Sequence, residues 1–178
     1  DIFLRDLKSN NLIEEKIKNT SGTIIWSLDS KSFFYTPLDK YHRCKKIYQH
    51  VLGTPPEEDQ LIFQEKDDSF SVSISLTADE KFFVINTSDS NTVEEYFFSS
   101  KDKKIKPLLF ESRKKGIKYS IDSWKNYWYI HTNKNALDYQ ILRCTHRNIK
   151  KLEVFIPPKK ETIIGGLDFL DDYILRGE

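Results

Sequence analysis

The sequence predicts an all-β protein built as part of a β-propeller, with about four four-stranded antiparallel blades. Three observations carry that expectation. A pattern recurs every 47 residues or so, each repeat has room for four short strands, and the same turn chemistry recurs between them.

The repeat is most visible where a small polar turn opens into an aromatic strand. It occurs as Ser27-Leu-Asp-Ser-Lys-Ser-Phe-Phe-Tyr35, Thr77-Ala-Asp-Glu-Lys-Phe-Phe-Val-Ile85 and Asp122-Ser-Trp-Lys-Asn-Tyr-Trp-Tyr-Ile130. The strand before each turn is expected over 23–27, 70–76, 116–121 and 163–167, with starts 47, 46 and 47 residues apart. Three more strands fit into each interval: 33–36, 46–51 and 60–65, then 82–87, 94–99 and 107–110, then 126–132, 138–143 and 151–156. In Phe70-Ser-Val-Ser-Ile-Ser-Leu76 the apolar residues fall only on even positions, the mark of a half-buried strand.

The turns agree. Asp29-Ser30 and Asp79-Glu80 can bond their own backbone ahead. Gly53-Thr54 and Pro55-Pro56 separate two strands, and proline does not belong inside a paired one. These boundaries give an end of one blade over 1–20, complete blades over 23–65, 70–110 and 116–156, and the start of another over 163–178. The first part-blade would hold strands over 1–5 and 12–16, the last a pair over 163–167 and 172–176. A short helix within 6–19 is the competing expectation, since Leu12-Ile13 and Ile17 have helical spacing. The chain has no methionine and starts at Asp1, so an excised segment of something longer is expected.

Composition narrows the function. A chain of 178 residues suits one domain with a self-sufficient core, and 13% aromatic residues argue against disorder. A net charge of +1 calls for neither nucleic acid nor an anionic membrane. Two cysteines, Cys44 and Cys144, make no secreted disulfide framework, so a reducing, cytoplasmic location is expected. No stretch is long and apolar enough to span a membrane as a helix.

No catalytic, cofactor-binding or metal-ligating residue is assigned. The six glycines, at 22, 53, 116, 165, 166 and 177, form no Gly-x-Ser-x-Gly elbow, dinucleotide fingerprint or phosphate loop. His42, His50, His131 and His146 show no metal-ligand spacing with one another. His42 with Cys44 and Cys144 with His146 could meet only if the fold joined two distant segments. Acidic residues cluster at Glu57, Glu58 and Asp59 and at Glu65, Asp67 and Asp68. They read as solvated loops, or more sharply as a surface that attracts basic peptides. The basic stretch from Lys101 to Lys118 lacks the aromatic interleaving of a nucleic-acid groove.

Several segments then carry a family resemblance. Trp26-Ser-Leu-Asp29 with Phe33-Phe-Tyr-Thr36, then Ile47-Tyr-Gln-His50, Leu52-Gly-Thr54, Asp59 and Phe63-Gln-Glu65, resembles the prolyl oligopeptidase family of serine peptidases, in its oligopeptidase B (protease II) branch. Asp68-Ser-Phe70 with Val72, Thr132-Asn133 with Ala136, Tyr139 and Leu142, and Phe155-Ile-Pro-Pro158 with Asp171, Tyr173 and Arg176 are similar to later segments of the same family. Cys44 after Arg43 and Asp138-Tyr139 depart from the family pattern.

The resemblance implies a seven-bladed parent propeller capping an α/β-hydrolase domain of the same chain, with a Ser-Asp-His triad. It implies short peptides cut after Lys or Arg, with the propeller keeping folded proteins from the active site. The triad and specificity residues would lie in the hydrolase domain, and no position here matches them. The alternative is a propeller used as a protein-interaction platform without peptidase activity. Uncovered blade faces would also favour self-association.

Overall fold

The computed structural model describes residues 1–178 and consists of β-strands joined by turns. The strands are β1 (Ile2–Arg5), β2 (Leu12–Ile17), β3 (Thr20–Trp26), β4 (Ser32–Pro37), β5 (Lys46–Val51), β6 (Gln60–Gln64), β7 (Ser71–Leu76) and β8 (Phe82–Ser88). They continue as β9 (Val93–Ser99), β10 (Leu108–Glu111), β11 (Tyr119–Trp124), β12 (Tyr127–Thr132), β13 (Gln140–Thr145), β14 (Glu153–Ile156), β15 (Leu167–Phe169) and β16 (Ile174–Arg176). The helical alternative for 6–19 is overturned: that segment forms the β1–β2 turn and β2, and the only helical piece is a 3-10 turn at Pro56–Glu58.

Every sheet is an antiparallel meander in sequence order. β3–β6, β7–β10 and β11–β14 form four-stranded sheets, flanked by the two-stranded sheets β1–β2 and β15–β16. The sheets stack face to face, and the core divides into four clusters, one at each junction. Ile2, Leu4 and Ile17 meet Phe33 and Tyr35; Phe34 and Ile47 meet Val72, Ile74, Phe83, Ile85 and Phe98. Val84 meets Tyr119, Ile121, Trp128, Ile130 and Cys144; Tyr129 and Ile141 meet Ile164.

This stacking explains the aromatic runs. Successive side chains of a strand point to opposite faces. Phe33 and Tyr35 of β4 enter one junction while Phe34 enters the next. Phe83 and Ile85 are likewise divided from Val84, and Trp128 and Ile130 from Tyr129. The second strand of each sheet is buried on both faces, so it reads as a continuous apolar run.

Several strand bounds shift by two or three residues from expectation, and two of the differences have a structural consequence. β11 begins at Tyr119 rather than 116, because Gly116 takes a positive φ of 79° and turns the chain just before it. Asp122 and Ser123, expected in a turn, lie on the strand, because the turn is only Lys125-Asn126. Residues 163–166 are not a strand. Ile164 is buried from a loop, where its N–H donates to the Asp138 carbonyl at 2.8 Å, and β15 starts at Leu167. No helix is long and apolar enough to cross a membrane.

Candidate functional site

Blades converge toward the axis of a propeller, so contacts between sheets should concentrate on the axis-side strands. β7 touches β3, β4 and β5 of the preceding sheet, and β11 touches β8 and β9, which identifies the first strand of each sheet as the inner one. β7 turns Val72 and Ile74 into the core and leaves Ser71, Ser73 and Ser75 exposed. Ser120 of β11 is exposed in the same way. On these two strands the exposed face carries small uncharged hydroxyls.

One constellation invites a test for catalysis. Ser123, His146 and Asp79 meet at the junction of β7–β10 with β11–β14. The Ser123 hydroxyl donates to Asp79 Oδ2 at 3.0 Å and lies 2.9 Å from His146 Nε2. A hydroxyl has one proton, so His146 must donate to Ser123 rather than accept from it. A serine nucleophile needs the reverse, with the imidazole taking its proton. Ser123 is also fully buried, and burial pushes the His146 pKa down. These three residues tie two sheets together and form no triad.

The other polar clusters do similar work. Arg113, in the linker after β10, donates to Glu65 Oε2 at 2.6 Å and Glu94 Oε1 at 2.9 Å and lies 3.9 Å from the Phe70 ring centroid. Burial alone would raise both carboxyl pKa values, but hydrogen bonds, including those from Arg113, hold them below the usual range. Glu95 of β9 accepts from Asn86 Nδ2 at 2.9 Å and from the Ile121 N–H at 2.7 Å, reaching across to β11. Burial pushes its pKa up to about 7 against those two bonds. His50 lies between Asp59 and Glu15, with its ring nitrogens 2.7 and 2.9 Å from their carboxylates.

The residues singled out from sequence separate into two groups. His50, Asp59 and Glu65 enter these clusters. Glu57, Glu58, Asp67 and Asp68 stay exposed. Cys44 packs at the junction between the first two four-stranded sheets and Cys144 at the next, so the two His–Cys pairs do not meet. Burial raises the Cys144 pKa to about 11, which leaves an inert thiol. His131 stacks on Tyr139 and bonds the Ile164 carbonyl at 2.7 Å. The basic stretch divides, with 101–106 on the β9–β10 loop and 113–118 after β10. Glu15, Glu94 and Glu95 carry no motif in the sequence. Their signal was a charge placed among apolar columns of the repeat, readable only once the strands are in register.

Comparison with known proteins completes the assignment. Residues 1–175 match the family model for the prolyl oligopeptidase N-terminal β-propeller domain. Protease 2 of Moraxella lacunata is 35% identical over 146 residues, covering 80% of this chain and 21% of that protein. Dipeptidyl aminopeptidase BI of Pseudoxanthomonas mexicana is 24% identical over 99% of this chain and 25% of its own length. Oligopeptidase B from Leishmania major superposes with a TM-score of 0.91 at 21% identity, over 97% of this chain and 25% of that one. The chain therefore spans about a fifth to a quarter of the relatives it matches. With three four-stranded meanders, two further strand pairs and this family match over nearly every residue, the chain belongs to the prolyl oligopeptidase N-terminal β-propeller domain family.

Proposed function

We propose that the chain is a non-catalytic wall of the propeller in an oligopeptidase B-like serine endopeptidase, which cleaves short peptides after Lys or Arg. The reading joins the family to one structural observation. The inner strands offer exposed serines, and the buried Ser123 hydroxyl is already committed to Asp79. Such a wall contributes exclusion rather than chemistry. A ring of blades leaves a narrow axial passage, so extended peptides pass and folded proteins do not. Covering an active site also keeps water from it and sharpens its electrostatics. The hydrolase domain of the same parent chain is the partner, short basic peptides are the substrates, and two unpaired cysteines favour a cytoplasmic setting.

The test has two arms. The 178-residue chain, incubated with an arginyl-arginyl aminomethylcoumarin substrate, is expected to give no turnover. The full-length parent is expected to cleave that substrate and short Lys- or Arg-containing peptides while leaving a folded protein intact. Turnover by the 178-residue chain that a serine-reactive inhibitor blocks would overturn the non-catalytic assignment. A parent without peptidase activity would support the interaction platform instead.

A further inference from the structure

The first sheet junction contains a buried histidine at a register position that the next two sheets fill with Phe98 and Cys144. His50 pairs with Phe33 across β4–β5. The same register position is Phe98 opposite Phe83 and Cys144 opposite Trp128 in the next two sheets. All three side chains are buried, His50 completely. The fold can therefore fill this place without a charge, and the histidine adds something that packing does not require.

Its surroundings say what. Nδ1 lies 2.7 Å from Asp59 Oδ1, in the β5–β6 connection, and Nε2 lies 2.9 Å from Glu15 Oε2 on β2, in the neighbouring sheet. Glu15 also accepts the Gly53 N–H at 2.9 Å, and Asp59 accepts the Tyr35 hydroxyl at 2.8 Å. An imidazolium carries a proton on both nitrogens, whereas a neutral imidazole carries one and leaves a lone pair on the other. In the neutral form one nitrogen would face a carboxylate oxygen across less than 3 Å with nothing between them.

We propose that Glu15, His50 and Asp59 form a proton-dependent latch between the β1–β2 hairpin and the β3–β6 sheet. It closes when an imidazolium bridges both carboxylates and loosens when that proton leaves. The inference does not depend on the parent being a peptidase.

The other groups around the ring do not supply a competing switch. Phe33 packs against it at a tilt of 48°, with centroids 5.1 Å apart. Lys46 and Tyr48 share its face of β5 further along the strand. Glu14 and Lys16 point to the opposite face of β2 from Glu15, and Lys16 pairs with Asp1. Glu57 and Glu58 are exposed in the 3-10 turn. Burial alone pulls the His50 pKa down, but the hydrogen bonds and charges of Glu15 and Asp59 outweigh it and hold the pKa above its usual value. For a base raised in this way, the contribution is fully present below about pH 6.5 and is lost as pH rises through the folded value.

The experiment follows the four histidine rings of the isotope-labelled 178-residue chain by long-range proton–nitrogen correlation between pH 5 and 9.5. His50 is expected to keep both nitrogens protonated at pH values where a free imidazole has already lost one proton. The Glu15→Gln variant is expected to lower its midpoint by about one unit. Amide exchange at Gly53, corrected for the chemical rate, should rise about tenfold through the same midpoint, and should not do so in His50→Phe, which copies Phe98. Titration of His50 at or below the free value, an unchanged midpoint in Glu15→Gln, or flat Gly53 exchange would each overturn the latch. If His50→Phe does not fold, the midpoint in Glu15→Gln decides alone.

Discussion

Glu95 is a carboxyl in a column of isoleucines. It lies three residues before Phe98, as Ile47 lies before His50 and Ile141 before Cys144, and both isoleucines are fully buried. Nothing in the run Val93-Glu-Glu-Tyr-Phe-Phe98 marks Glu95 as buried and Glu94 as the partner of a distant arginine. Both identities follow from register. His50 and Asp59 were legible as motif residues, but their pairing was not, because nine residues and a turn separate them in sequence. The structure gives Glu95 a consequence. Its pKa rises from an ordinary carboxyl value to about 7, chiefly through burial. Between pH 4.5 and 7 the folded chain therefore holds a proton that the unfolded chain has lost. Stability should fall as pH rises through that window, by roughly 3 kcal/mol at most, and then level off. Glu95→Gln keeps an acceptor for the Ile121 N–H and removes the titration. Urea unfolding at half-unit pH steps should show that slope flattened, with the variant at least as stable as the parent at pH 7. A slope unchanged in Glu95→Gln would show that another group sets it.

At the level of elements, the linker after β10 does more than connect. It delivers Arg113 to Glu65 in the preceding four-stranded sheet and Glu94 in its own, so one side chain spans a sheet junction. Removing one partner of a buried ion pair leaves uncompensated charge, which costs more than the pair is worth in net stability. Arg113→Ala should therefore destabilise the chain by about 3 kcal/mol, with Arg113→Lys restoring part of it, as read from urea midpoints. Loss below about 0.5 kcal/mol would mean that solvent reaches the carboxylates, since exposed pairs are worth only that much. Trp128 gives the apolar counterpart. It is fully buried among Phe82, Phe97 and Phe110, and Trp128→Ala should cost about 4 kcal/mol in the same measurement. The strands themselves were largely legible, because doubly buried second strands leave runs such as Phe82-Phe-Val-Ile85. The turn near Asp122 was not. In the two preceding sheets the aspartate sits in a four-residue turn beside a positive-φ residue, Ser30 or Glu80. In the third sheet Lys125 takes the positive φ instead, and the turn tightens to two residues. The repeat predicted the element but not this change of turn length, which moves Asp122 and Ser123 onto a strand.

For the whole molecule, the spacing of about 47 residues carried the architecture because a blade is a local unit: each meander closes its own hydrogen bonds before it meets a neighbour. The same reading placed a strand pair at each end of the chain, where β1–β2 and β15–β16 lie. β1–β2 and β15–β16 each pair only two strands, so their outer edges keep unpaired backbone groups. Beside those edges Phe3 is 59% exposed, Tyr173 72% and Leu175 55%. Open edges flanked by exposed apolar side chains favour pairing with a second copy. The weight-average mass of the chain, 21.1 kDa as a monomer, should therefore rise with concentration in light scattering after size exclusion. Sulfate should drive the rise further, since it strengthens apolar burial. Charges placed on the two patches, Phe3→Glu and Tyr173→Lys, should suppress it while leaving the far-ultraviolet spectrum of the strands unchanged. A single 21.1 kDa species at the highest attainable concentration would show instead that the two strand pairs shield their own edges.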